Sequence, residues 1–265
     1  MSYKKLTLKD KEIFEQQGYL LIPAFFKNKE IDKLYAIAKD DVVISKNMYD
    51  REDKEGLRTK LSLWFSLDDS IYSLMARCER MVSGAELLLG GEPAHFHSKL
   101  MKKEPKVGGA WEWHQDYGYW YRDGFLYPHM VSVLTALTPA TRENGCLQVI
   151  KGSHKLGRIE HGFAGEQVGA DMVRVEEARK RMELVYMEMQ PGDSLFFDCN
   201  LLHRSDSNRS DSARVSMITV YNLISNKPFK GDNTSSFTPI EKVTDDAILH
   251  ATAKGISEEV DFKHK

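Results

Sequence analysis

Six short β-rich runs, each bounded by glycine, proline or asparagine, occupy residues 94–101, 130–137, 146–150, 184–189, 194–197 and 213–221. Strands this short bury a core only by packing sheet on sheet, so their regular punctuation predicts an all-β barrel or sandwich. The first ninety residues read differently. Thr7-Leu8-Lys9-Asp10 is a capping-box pattern for a helix that Gly18 stops, and a strand, Tyr19 to Ile22, ends at Pro23. From Asn28, the positions Ile31, Leu34, Tyr35 and Ala38 have the spacing of an amphipathic helix. A longer helix is expected from Asp69-Ser70 to Gly90-Gly91, with Ile71, Leu74, Met75, Cys78, Met81, Val82, Leu88 and Leu89 on its core-facing stripe.

One domain, 1–265, is expected, since neither a repeat nor a linker interrupts it. Residues 1–91 read as helical N-terminal support and 92–224 as the β core. A polar, glycine-containing insertion at 155–183 is a candidate lid. Residues 225–265 form a C-terminal extension, loop-like over 225–240, whose last residues have little core to join.

Lys+Arg (37) nearly balance Asp+Glu (39), which excludes the broad basic field that nucleic acid or anionic lipid requires. Three cysteines, Cys78, Cys146 and Cys199, lie far apart with no CxxC pair, so neither a disulfide framework nor a zinc knuckle is indicated. The start of the chain has no apolar leader, and no run of 18 apolar residues occurs. A cytoplasmic protein with a small-molecule partner, monomer or homodimer, is expected.

Chemistry concentrates at three places. In Trp113-His114-Gln115-Asp116, an extended backbone turns the imidazole and the carboxylate to one face, so one strand presents two ligands. A surface ion pair is the alternative. In Pro191-Gly192-Asp193 to His203, a turn and a buried strand lead to a histidine in an apolar setting, a third ligand or a core residue. Two imidazoles and one carboxylate form the facial triad of non-haem Fe(II), which leaves positions open for substrate and O2. A catalytic zinc site has similar ligands. Arg214 starts the last strong β run. Facing inwards it needs an anion, and a guanidinium grips a carboxylate with two parallel bonds. A structural salt bridge or an outward-facing side chain is the other reading.

In order and spacing these residues resemble the phytanoyl-CoA hydroxylase family of oxygenases. The resemblance rests on HQD at 114–116, Asn144-Gly145-Cys146-Leu147 before Gly152-Ser153-His154, PGD at 191–193, His203, and Arg214 eleven residues later. It covers nearly the whole chain. It implies a double-stranded β-helix, a jelly-roll or cupin-like barrel with the N-terminal helices packed on it. It also implies iron on His114, Asp116 and His203, with the distal carboxylate of 2-oxoglutarate on Arg214. The family reaction consumes O2, releases succinate and CO2, and hydroxylates the substrate. Related halogenating enzymes carry a small residue where Asp116 stands, so hydroxylation is the implied outcome. Further family positions place His97, Lys99 and Ser205 near the co-substrate or substrate. His154 reads as a loop-stabilising hydrogen bonder and Asp123-Gly124 as a turn.

Within the family the wording around 114–124 and at Phe197-Asp198-Cys199-Asn200 is similar to the ectoine hydroxylase branch, implying a small zwitterionic or amino-acid-like substrate. Trp120, Tyr117 and Arg204 are the expected substrate contacts, in a segment also rich in Trp111, Trp113, Tyr119 and Tyr121 whose aromatic faces suit a cation or apolar group. At Arg204 the chain departs from the glycine that ectoine hydroxylases have there. The same chemistry on an acyl-CoA, a zinc hydrolase, and a non-catalytic cupin-like binding protein are the competing readings. The last would be expected to have lost a ligand, and the zinc reading leaves Arg214 without a purpose.

Overall fold

Thr7 and Asp10 cap each other at the start of α1 (Leu8–Gln17). The Asp10 amide donates to the Thr7 hydroxyl at 3.3 Å, and the Thr7 amide donates to the Asp10 carboxylate at 2.8 Å. Gly18 closes the helix at φ +82°, where a Cβ would also stand 2.4 Å from the His154 ring. His154 Nε2 donates to the Glu15 carbonyl, 3.1 Å away, holding its loop to this helix as expected.

The computed structural model describes residues 3–164, 167–230, 238–252 and 254–263. Residues 165–166 of the candidate lid and 231–237 of the expected loop lie outside the described residues. After α1 come β1 (Tyr19–Ile22), α2 (Asn28–Asp40), α3 (Val42–Lys46), β2 (Tyr49–Glu52) and β3 (Arg58–Trp64). The last two strands correct the reading of 1–91 as helical support. They pair with each other, and β3 pairs with the main sheet through Lys60–Trp64.

The long helix expected over 69–91 is also corrected, to α4 (Ile71–Arg77) and α5 (Glu79–Leu89). Cys78 between them is extended (φ −62°, ψ 144°) because a distant segment docks there. The Glu79 amide donates to the Val243 carbonyl and the Val243 amide to the Arg77 carbonyl, both at 3.0 Å. The apolar stripe continues across the break, so its period could not reveal it.

The remaining elements are β4 (Pro93–Lys103), β5 (Trp111–His114), α6 (Asp116–Arg122), β6 (Met130–Ala136), β7 (Leu147–Ile150), β8 (His161–Ala164), β9 (Gln167–Ala170), α7 (Met172–Arg181), β10 (Leu184–Met187), β11 (Ser194–Asp198), β12 (His203–Ser205), β13 (Arg214–Leu223), β14 (Thr238–Pro239) and α8 (Ala247–His250). All strand pairs are antiparallel. The major sheet runs β1-β11-β6-β13-β4-β3-β2, with β14 beside β4; the minor sheet runs β10-β7-β12-β5, and β8 and β9 form a hairpin. The two sheets share an apolar layer that includes Leu134, Phe197 and Ile218 from one and Val149 and Met187 from the other. This is the expected jelly-roll, built as two packed sheets without, among the described residues, a continuous closed ring of strand pairing.

The outer face of the major sheet packs against the helices through Phe14, Phe25, Leu34, Met81, Phe196 and Met217. The C-terminal segment joins this core, against expectation. Ile256, Val260 and Phe262 are buried in it. The Phe65 amide donates to the Asp261 carbonyl at 2.8 Å and the Lys263 amide to the Leu63 carbonyl at 2.9 Å. Among the described residues no helix is long and apolar enough to cross a membrane.

Candidate active site

His114 is the last residue of β5 and His203 the first of β12, and the two are direct partners in the ladder between those strands. Cross-strand pairing therefore brings together imidazoles remote in sequence, with ring centroids 4.0 Å apart. Asp116 is not on that strand, which corrects the one-strand reading: it is the first residue of α6. Gln115 between them is extended (φ −116°, ψ 133°), so positions 114 and 116 still face one way.

The three side chains are buried, and their ligand atoms lie within 4.8 Å of one another. Asp116 Oδ1 is 3.7 Å from His114 Nε2 and 3.8 Å from His203 Nε2. Each Nδ1 is held by a carbonyl, Glu112 O at 2.7 Å and Leu201 O at 2.9 Å. Those bonds put the proton on Nδ1 and turn a lone pair at Nε2 toward the centre. Burial pushes both imidazole pKa values down and keeps them neutral. For Asp116 burial acts to raise the pKa, but the nearness of His203 and of the Lys99 amine, with a 2.7 Å hydrogen bond from Ser132 Oγ, outweighs it, so the carboxylate stays charged. Two neutral nitrogens and one carboxylate oxygen converging on a point fit a divalent iron ion.

Two cavities meet at this cluster. Lys99, Ser205 and Arg214 line the inner one together with the three candidate ligands. Arg214 is 5% exposed. One of its terminal nitrogens donates to the Gly145 carbonyl, while its Nε is buried without a partner. Burial lowers its pKa to about 10. Ser205 Oγ accepts from Lys103 Nζ at 2.8 Å, so its own proton is free to point elsewhere. Lys103 is fully buried beside Arg214, and burial pushes its pKa well below the ordinary range; it is a second basic group that sequence reasoning missed.

The outer cavity, about 400 Å³, includes His97, Lys99 and Trp120 in its wall with His114 and Asp116. Trp120 packs on Phe96 (5.5 Å between centroids) and His97 (6.0 Å). His97 Nε2 is buried without a partner. Two expected substrate contacts sit differently. Tyr117 lines neither cavity: it is packed in the layer between the sheets, with its hydroxyl donating to the Phe125 carbonyl at 3.1 Å. Arg204 borders the inner cavity, but its guanidinium is paired with Asp206 and lies over the Trp113 ring.

Sequence reasoning also passed over a brace behind the triad. Gln115 Nε2 donates to Gly157 O (2.8 Å) and Asn200 O (2.7 Å), and its Oε1 accepts from the Ile159 amide (2.7 Å). The Gln115 amide donates to His161 Nε2 at 2.9 Å, and His161 Nδ1 bonds Ile159 O at 2.7 Å. The middle residue of an HxD motif and a histidine in a loop carry no sequence signal for such a role.

The sequence matches the profile described as phytanoyl-CoA dioxygenase over residues 14–216. The chain belongs to the phytanoyl-CoA dioxygenase family. As a member of it, this oxygenase is a non-haem iron, 2-oxoglutarate-dependent dioxygenase. It is 28% identical over 233 residues to an ectoine dioxygenase of Halomonas elongata, covering 82% of this chain and 70% of that one. It is 29% identical over 177 residues to an L-proline trans-4-hydroxylase of Streptomyces griseoviridis, covering 60% and 66%. The crystal structure of EctD from S. alaskensis with 2-oxoglutarate and 5-hydroxyectoine superposes with a TM-score of 0.72 at 21% identity, over 92% of this oxygenase and 90% of that chain.

Proposed function

We propose that this dioxygenase hydroxylates an unactivated C–H bond of a small, polar, amino-acid-like molecule. His114, Asp116 and His203 would hold the iron, and Arg214, Ser205 and Lys99 the 2-oxoglutarate. The observation that carries this reading is the position of the triad at the junction of two cavities, one ending on a buried guanidinium whose Nε has no partner and the other walled by aromatic rings. Relatives named for ectoine and for L-proline support a small substrate.

Bound iron supplies the activation of O2, coupled to decarboxylation of 2-oxoglutarate to succinate and CO2. The chain's own share is placement. Arg214 meets a carboxylate with two parallel donors, and the Ser205 hydroxyl, whose oxygen already accepts from Lys103, donates beside it. Lys99 borders both cavities without an ion pair among the described residues, so it faces the polar end of whichever ligand lies between them. Trp120 and Phe96 exclude water on the outer side, and His97, kept neutral by burial, presents a nitrogen there.

The test is anaerobic addition of Fe(II) and then 2-oxoglutarate, followed optically. A charge-transfer band that needs both, with succinate release on admitting air, is the expected result. Zinc-supported hydrolysis with no such band would replace this reading with that of a zinc hydrolase.

A further inference from the structure

The rim of the outer cavity carries charge that the iron and the co-substrate do not use. Arg51 on β2 and Lys263 in the docked C-terminal segment both line it. The ion pairs of the neighbouring wall join Arg58 to Asp50 and Glu52, and Lys54 to Glu112, and include neither Arg51 nor Lys263. Lys263 is close enough to His97, Lys99 and Asp123 on the same wall to act on them electrostatically. Asp123, at the end of α6, is the only carboxylate besides Asp116 among the described residues of this wall. Among the described residues, two exposed or half-buried cations therefore stand against one exposed acid, above aromatic walls.

Lys263 reaches this position through a gap in the sheet. β2 pairs with β3 only as far as Leu61, and beyond it Phe262 bridges to Trp64 on the uncovered edge. Asp41 and Asp68 pin the approach by accepting from the Ile256 amide (3.0 Å) and the Ser257 amide (2.8 Å). This segment lies outside the stretch that matches the family, residues 14–216.

We propose that the rim is a substrate subsite in which Lys263, aided by Arg51, takes a free carboxylate while Asp123 takes a protonated amine. The substrate is then an amino or imino acid whose carboxylate is unblocked. This deepens the reading of the site as that of an iron, 2-oxoglutarate-dependent hydroxylase and rests on it. An unbalanced positive rim attracts an anion from solution, and the paired acid selects a molecule carrying both charges.

The experiment uses the full chain with Fe(II) and 2-oxoglutarate. Succinate release above the substrate-free rate is measured for a panel of amino and imino acids, L-proline among them, each paired with its carboxamide. Acids are expected to stimulate release and amides not. For the best acid, Lys263→Met should raise KM about three- to tenfold, the range of a solvent-screened charge contact. Lys263→Arg should restore it. Added salt should raise the wild-type KM and barely move that of Lys263→Met, which a purely structural lysine would not do. A panel in which amides match acids, both active or both silent, overturns the proposal, as does an unchanged KM and salt response in Lys263→Met. Failure of the underlying reading looks different: the charge-transfer band and the substrate-free succinate release would both be absent.

Discussion

Arg214 illustrates how a single side chain separates a ligand site from a structural one. A buried guanidinium with an unpartnered Nε and, among the described residues, no carboxylate paired with it costs stability until an anion arrives. Lys103 is buried beside it, its pKa pushed well below the ordinary range by burial, with Ser205 Oγ and the Asp206 carbonyl as its hydrogen-bond partners among the described residues. Arg214→Ala is therefore expected to raise the 2-oxoglutarate KM by about tenfold to a hundredfold, the loss of a charge-assisted contact of ~1.5 to 3 kcal/mol. The melting temperature of the ligand-free protein should change little. Titrating 2-oxoglutarate against succinate release, alongside melting curves, checks both. A large fall in melting temperature with an unchanged KM would return Arg214 to a structural role.

At the scale of elements, the site depends on the junction between β5 and α6. Strand pairing sets His114 against His203, and the extended Gln115 carries the chain to Asp116. Gly118 makes room for the brace behind them: a Cβ there would stand 2.3 to 2.4 Å from three atoms of the His161 ring. That ring is held at both nitrogens, so it cannot swing aside freely. Gly118→Ala should thus displace His161 from the Gln115 amide and cost about 1 to 3 kcal/mol of stability by overpacking. Iron affinity should fall about tenfold to a hundredfold, as when an outer partner of a metal ligand is lost. Iron binding equal to that of the wild type would show that the brace is dispensable.

Over the whole molecule, the chain closes on itself between its C-terminal segment and its N-terminal helices. Arg80, fully buried, is paired with Glu30 and lies 3.6 Å from Asp245, which ties α5 to α2 and to the approach of α8. Asp68 fastens the last segment. Burial acts to raise its pKa, but hydrogen bonds from Ser70, Ser73 and Ser257 outweigh that and leave it below the ordinary range. A carboxyl with a depressed folded pKa contributes stability in full above its unfolded value, about 3.9, and loses it as the pH falls through the folded value. Acidification below about pH 4 should therefore loosen residues 256–263 and open the Lys263 rim. Faster amide exchange at Ile256 and Ser257 at acid pH than at neutral pH, after correction for intrinsic rates, is the expected result. Asp68→Asn should remove much of the difference; equal protection at both pH values would assign the docking to apolar packing alone.

What the sequence determined by itself lies where the physical signal is local. The Thr7 capping box, the left-handed Gly18, the β-rich runs from 94 to 221 and the spacing of His114, Asp116, His203 and Arg214 were all legible, because each depends on neighbouring residues or on a short motif of unambiguous chemistry. The tertiary structure alone decided what depends on distant partners. Cys78 breaks a continuous apolar stripe because Val243 bonds across it. The two strands at 49–52 and 58–64 exist because β4 offers an edge. Phe262 is buried because β2 stops short, and Tyr117 turns from the cavity because its hydroxyl finds Phe125 O. Lys103, the Gln115–His161 brace and Lys263 carry no motif, since their roles arise from what the fold places beside them. Periodicity reports which face of an element is apolar; only long-range pairing settles what that face meets.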